Sequence, residues 1–157
     1  MTSQAEQRLA ELGLQLPPDW TPRGQFLPFR RDGLIVYLSG QICEWDGAVT
    51  HAGPVVDTAQ AIEDARVAAQ VCALNLLYRL RAACDGDLDR VDVILRLGGF
   101  VNCMSGFPHS PAVINGATEL FIAVFGDQGW HARTAVGVCG LPGNAAVEVD
   151  AVVRLKP

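Results

Sequence analysis

The chain has 157 residues, half of them hydrophobic, enough for one compact domain with its own core. Its formal charge of −5 argues against nucleic acid as a partner, and five scattered cysteines without a CxxC point away from a disulfide framework or a metal site. No apolar run approaches ~18 residues and the first twelve residues lack an apolar signal core, so a cytoplasmic protein with reduced thiols and no membrane span is expected.

Ser3 with Glu6 forms a capping-box pattern and predicts a short helix to about Leu12, stopped by Gly13. Leu16-Pro17-Pro18 then makes an extended arm through Trp20. This helix and arm, residues 1–22, precede a single domain over 23–157. Gln25 to Phe29 predicts a first strand, which Pro28 confines to a sheet edge. Arg31-Asp32-Gly33 is turn chemistry, and Leu34 to Ser39 is β-rich, so a hairpin is expected. Gly40, taken alone, reads as the end of that strand.

Trp45-Asp46-Gly47-Ala48 contains a turn. Thr58 to about Ala83 is the clearest helix, with apolar residues at three- and four-residue steps from Ile62 to Leu80 and Thr58 as N-cap. From Val91 to Val101 the pattern alternates, with Val91, Val93, Leu95 and Leu97 on one face. Gly98-Gly99 suggests a bulge or a close approach. Ser110-Pro111 opens a second long helix to about Phe125. Gly116 inside it costs about 1 kcal/mol against alanine, which a close packing or a ligand contact would explain. Strands over 132–139 and 146–155 follow, joined by Leu141-Pro142-Gly143-Asn144 and expected to pair as a hairpin.

The order predicts an α+β mixed sheet with two helices packed on one face. The other face needs cover, so oligomerisation is the physical expectation. If the purely apolar sets of the last two strands lie under the helices, Arg133 and Glu148 both project from the uncovered face. Ala135 and Gly137 beside Arg133 leave room for a ligand. Two readings then stand. Arg133 and Glu148 pair with each other or across an interface, or the guanidinium waits for a carboxylate while the glutamate orients a water.

Several motifs together resemble the Rid (YjgF-like) reactive intermediate deaminase family. They are Leu38-Ser39-Gly40-Gln41, Asn75-Leu76-Leu77, Gly86-Asp87-Leu88-Asp89-Arg90-Val91, Asn115 with Glu119-Leu120-Phe121, and above all Ala132-Arg133-Thr134-Ala135-Val136-Gly137-Val138 followed by Leu141-Pro142 and Ala146-Val147-Glu148-Val149-Asp150-Ala151. The resemblance spans about Gly24 to Leu155. It implies a chorismate-mutase-like fold and a homotrimer with an inner barrel and clefts between subunits. It further implies hydrolysis of 2-imino or 2-enamino acids to 2-keto acids and ammonia, with no metal and no cofactor. Arg133 would clamp the substrate carboxylate and Glu148 would position water, with Gly40 and Asn115 lining the cleft.

The chain also departs from the family pattern. No pocket tyrosine matches in Arg23-Gly24-Gln25-Phe26-Leu27-Pro28-Phe29, so Phe26 or Phe29 would offer a ring without a hydroxyl. Ala135 stands where the family often has cysteine. The 102–110 loop is longer, and the N-terminal helix is extra. Non-catalytic binding of a small carboxylate metabolite in the same cleft is therefore the alternative, with endoribonuclease activity third. Cys103 has no partner assigned by sequence and is expected to be inert. His51, His109 and His131 show no ligand spacing, and His131 is expected at the surface or rimming the cleft.

Overall fold

The computed structural model describes residues 3–19, 21 and 24–157. Trp20, at the expected end of the arm, and Arg23, at the expected start of the domain, lie outside the described residues. The elements are α1 (Gln4–Glu11), β1 (Phe29–Asp32), β2 (Ile35–Ile42), β3 (Glu44–Trp45), β4 (Ala48–Val49), α2 (Ala59–Ala83), β5 (Val91–Asn102), α3 (Ser110–Phe125), β6 (Ala132–Val138) and β7 (Val147–Leu155). The main sheet has the order β1-β2-β7-β5-β6, and β3 and β4 form a separate small hairpin. Every neighbouring pair in the main sheet is antiparallel except β5 and β6. This is the α+β mixed sheet that the residue pattern predicts, with α2 and α3 packed on one face.

Local chemistry explains the helix starts. Ser3 Oγ accepts from the Glu6 backbone N–H and the Glu6 carboxylate accepts from the Ser3 N–H, both at 3.2 Å, so the capping box forms. The Asp89 carboxylate also accepts from the N–H groups of Gln4 and Ala5, at 2.8 and 3.1 Å. With the Arg8 guanidinium bonded to the Val124 carbonyl at 2.8 Å and Ala5 and Leu9 in the core, α1 is tied to the domain body at both ends. Thr58 caps α2 by accepting from the Ala61 N–H at 3.2 Å. At α3 the cap is His109 and not Ser110; Ser110 is the first helical residue and Pro111 follows.

The strands depart from expectation in three places. The first strand starts at Phe29, where the expected one ended, because the hairpin turn is the two residues Gly33-Leu34 and its register sets Asp32 opposite Ile35. In β5 the ladder shifts register between Val91 and Val93 and again between Ile94 and Arg96. These two irregularities turn Ile94 into the core beside Leu97 and leave Val93 and Leu95 only half-buried, against simple alternation. Of the two readings offered for Gly98-Gly99, close approach is the one found, since the ladder with β7 runs regularly through both. A Cβ on Gly99 would press into Ile114, and one on Gly98 into Asp150. Finally, β6 and β7 do not pair as a hairpin. Residues 103–131, with α3, carry the chain across to β6 parallel to β5, as a parallel pair requires, and β7 returns to the centre between β2 and β5.

α2 and α3 lie close together at Gly116, where an added Cβ would overlap the backbone carbonyl of Arg66. Close packing, one of the two readings offered for this glycine, is what the structure shows. Gly116→Ala is therefore expected to destabilise the fold by about 1–3 kcal/mol despite alanine's better helix propensity, because backbone cannot swing aside as a side chain can. Urea unfolding of the variant against wild type checks this; equal or greater stability would contradict the packing argument.

Candidate functional site

Arg133 stands on β6, an edge strand of the sheet. Its NH1 donates to Asn115 Oδ1 at 2.7 Å and to Thr118 Oγ1 at 3.0 Å, and its NH2 approaches the Pro111 carbonyl at 3.4 Å. All three acceptors belong to α3. The side chain thus points to the helix face, and the expectation that it projects from the uncovered face is overturned. The row Arg133, Ala135, Gly137 faces α3, while Thr134 and Val136 face outward, Val136 with 41% exposure. Alternation separates the two rows but does not say which is covered.

All of Arg133's partners are neutral, and no carboxylate among the described residues pairs with it. The guanidinium is held in direction by α3 while donors remain for an anion. Its orientation is reinforced by His131. The His131 Nδ1 lies 2.6 Å from the Gly129 carbonyl, which only accepts, so Nδ1 carries the proton. Nε2 is then an acceptor, and it lies 3.1 Å from Thr118 Oγ1. The Thr118 hydroxyl donates to His131 and accepts from Arg133, one oriented chain from a backbone carbonyl to the guanidinium. Burial holds His131 below its ordinary value, against the raising effect of the Gly129 carbonyl and helped by the Arg133 charge, which favours the neutral ring this chain requires. His131 thus does more than sit at the surface.

Glu148 occupies a different place. On β7 the row Val147, Val149, Ala151 is buried under the helices, so Glu148 and Asp150 lie on the opposite face, as expected. Its carboxylate fills the space over Gly40, where any Cβ would overlap it. β2 is irregular there, with a register shift between Leu38 and Gln41. Gln41 is buried, donates from Nε2 to the carbonyls of Ser39 and Gly40 at 3.1 Å each, and has a buried Oε1 without a partner among the described residues. Behind this turn Asn75 of α2 donates to the carbonyls of Ile42 and Glu44 at 3.2 and 2.8 Å.

The chain therefore builds two half-sites. Arg133 is level with Leu97 and Ala151, whereas Glu148 is level with Phe100 and Val136. That places them two strands apart, roughly 10 Å laterally and roughly 10 Å along the strands, on opposite faces. Asn115 joins the arginine half and Gly40 the glutamate half. Ala135 packs against the core beside Arg133, and Phe29 packs against the core from β1. Phe26 is 48% exposed. Residue chemistry alone missed Thr118, His131 and Gln41. The signal was faint: Thr118 lies in the middle of α3, His131 immediately precedes β6, and Gln41 lies near the end of β2. Among the described residues no group of three or more His, Cys, Asp or Glu side chains has the geometry of a metal site. Nor is any helix there long and apolar enough to cross a membrane.

Residues 6–154 match the family model described as "YjgF/chorismate_mutase-like, putative endoribonuclease". The Trypanosoma cruzi protein TCP17 is 38% identical over 149 residues, covering 94% of this chain and 92% of that protein. A crystal structure of an Agrobacterium tumefaciens protein of unknown function shares 37% identity at a TM-score of 0.88, covering 98% of this chain and 93% of the other. One from Shewanella oneidensis, which carries the same endoribonuclease description, shares 28% identity at a TM-score of 0.89, covering 96% and 99%.

Two measurements probe the halves separately. Thr118→Val keeps the shape but leaves His131 Nε2 and an Arg133 N–H without partners, an expected loss of about 1–3 kcal/mol that Thr118→Ser recovers. Denaturant unfolding of the three proteins checks it. Burial, and then the neighbouring Asp150 charge, raise Glu148 above its ordinary value of 4.5. The folded chain then binds this proton more tightly than the unfolded chain, so stability is fullest below that value and falls as pH rises through the folded one. Glu148→Gln should accordingly melt above wild type at pH 7, with the advantage shrinking as pH drops below 4.5. A lower melting point at both ends of that range would contradict this account.

Proposed function

Because the chain belongs to the YjgF/chorismate-mutase-like family, we propose that it hydrolyses small 2-imino or 2-enamino acids to 2-keto acids and ammonia. The observation that carries this reading is Arg133: a cation held by neutral acceptors, with donors to spare and no internal counter-charge among the described residues. Such a group suits the carboxylate of a small organic acid, bound by two parallel hydrogen bonds. Glu148 supplies the second requirement. Burial and the neighbouring Asp150 raise its proton affinity, which suits a carboxylate that takes a proton from an attacking water and returns it.

The reaction then balances without a cofactor. A water oxygen attacks the imine carbon while Glu148 accepts its proton. The electron pair of the carbon–nitrogen double bond moves to nitrogen, which takes that proton from Glu148 to give the carbinolamine; the hydroxyl proton then passes by way of Glu148 to nitrogen, the carbon–nitrogen bond breaks, ammonia leaves and the carbonyl forms.

Within one chain, Arg133 and Glu148 face away from each other, so this function requires the arginine half of one copy to meet the glutamate half of another. A homotrimer with clefts between subunits provides that meeting. The open β6 edge and the outward Val136 and Tyr37, 41% and 53% exposed, offer surface for it.

A second reading keeps the cleft without the chemistry. Phe26 stands exposed and carries no hydroxyl, so a non-catalytic carboxylate-binding protein is favoured if turnover is absent. Cleavage of RNA is the third reading, and a chain of net charge −5 suits it poorly.

The test is keto-acid release from imines generated in place by an amino-acid oxidase. Wild type should accelerate it. Glu148→Gln should lose about 10²–10⁴-fold in kcat, and Arg133→Ala should lose binding chiefly, through KM. Saturable carboxylate binding by wild type without acceleration would select the second reading, and absence of both would overturn the clamp itself.

A further inference from the structure

Cys43, Cys72 and Cys84 are fully buried, whereas Cys103 is half-buried and Cys139 exposed. Those last two, 36 residues apart in sequence, come together just past the ends of the parallel strands β5 and β6. Asn102 is level with Val138, and the Cys103 N–H donates to the Val138 carbonyl at 3.1 Å. Cys103 and Cys139 each follow by one residue, just past the last recorded pair of the ladder, which brings the two positions side by side. Adjacent strands run ~4.8 Å apart, inside the ~4.4–6.8 Å between α-carbons that a disulfide spans.

Cys103 stands two residues after the buried Val101 and Cys139 two residues after Gly137, each one residue past the end of its strand. The Cys103 sulfur lies across β6, 2.7 Å from where a Cβ on Gly137 would sit. Only glycine leaves it that room. Both cysteines, with Met104, line one open cleft of about 400 Å3 between the 103–107 loop and the end of β6.

We propose that Cys103 and Cys139 form a reversible redox site, a cross-strand dithiol that hydroperoxides oxidise to an intrachain disulfide. Cys139, the exposed thiol, meets the oxidant first. Its thiolate attacks one peroxide oxygen, the oxygen–oxygen bond breaks, and water leaves with a sulfenic acid behind. The Cys103 sulfur then attacks the sulfenic sulfur, the sulfur–sulfur bond forms, and the hydroxyl departs with the Cys103 proton as a second water. Two thiols and one hydrogen peroxide thus give one disulfide and two waters. Burial raises Cys103 above the ordinary thiol value, which disfavours its thiolate and leaves the first attack on peroxide to Cys139. Thiol reductants reverse the bond by exchange. The site needs neither Arg133 nor Glu148 and stands apart from the reading of the cleft.

Treatment of the full chain with hydrogen peroxide, followed by alkylation and peptide mass mapping, tests the site. The expected product is a single chain in which the peptides carrying Cys103 and Cys139 are linked with loss of two hydrogens, restored by dithiothreitol. Phenylarsine oxide, which needs two neighbouring thiols, should bind wild type one to one, and Cys103→Ser and Cys139→Ser should each weaken it at least tenfold. Covalent dimers through Cys139, a sulfinic acid at Cys139 with Cys103 still free, or full arsenical binding by either single variant would overturn the proposal.

Discussion

The parallel pairing of β5 with β6 is the constraint from which the site follows. A parallel neighbour cannot be reached by a tight turn, so the chain must cross over, and here the crossover carries α3. The crossover puts β6 at the sheet margin and lays α3 alongside it. Asn115 and Thr118 then stand where Arg133 needs acceptors. The same crossover leaves the centre of the sheet to β7, which carries Glu148 to Gly40 on the other face. Separation of the two charged groups is thus a result of topology, not of side-chain choice.

Both groups are kept at some cost to the fold. Arg133 is bonded only to neutral oxygens, so it gains orientation without the Coulomb attraction of an ion pair. Glu148 sits partly desolvated beside a second carboxylate. A sequence selected only for stability would replace either residue. Elsewhere the chain pairs its charges in the ordinary way, as with Arg154 and Asp92 at 2.6 Å or Arg66 and Glu119 at 2.7 Å.

Much of the fold was legible because its signals are local. Ser3, Thr58 and Pro111 each mark a helix start through chemistry confined to one turn. The apolar stripe of α2 needs nothing beyond its own spacing. Apart from the start of β1, which a local hairpin turn sets, the misreadings concern relations between distant segments. Nothing local announces that β5 slips register twice, that β7 enters between β2 and β5, or that the small row of β6 is the covered one. The last error has a physical source. Thr134 and Val136 look more suited to a core than Arg133 does, and only the acceptors on α3 reverse that preference. The motif residues Gly40, Asn115, Arg133 and Glu148 could be named from sequence, but their division into two faces could not. Thr118 and His131 escaped because their importance lies in their contact with each other.

The central position of β7 also bears on how the protein is made. A ribosome delivers β2 and β5 long before the strand that joins them, and neither pairs with the other. Until residues 147–155 emerge, the nascent chain holds two long apolar strands with unsatisfied edges. The sheet therefore closes only after synthesis of β7, and the interval before that is when the chain is most exposed to aggregation and most in need of a chaperone's cover.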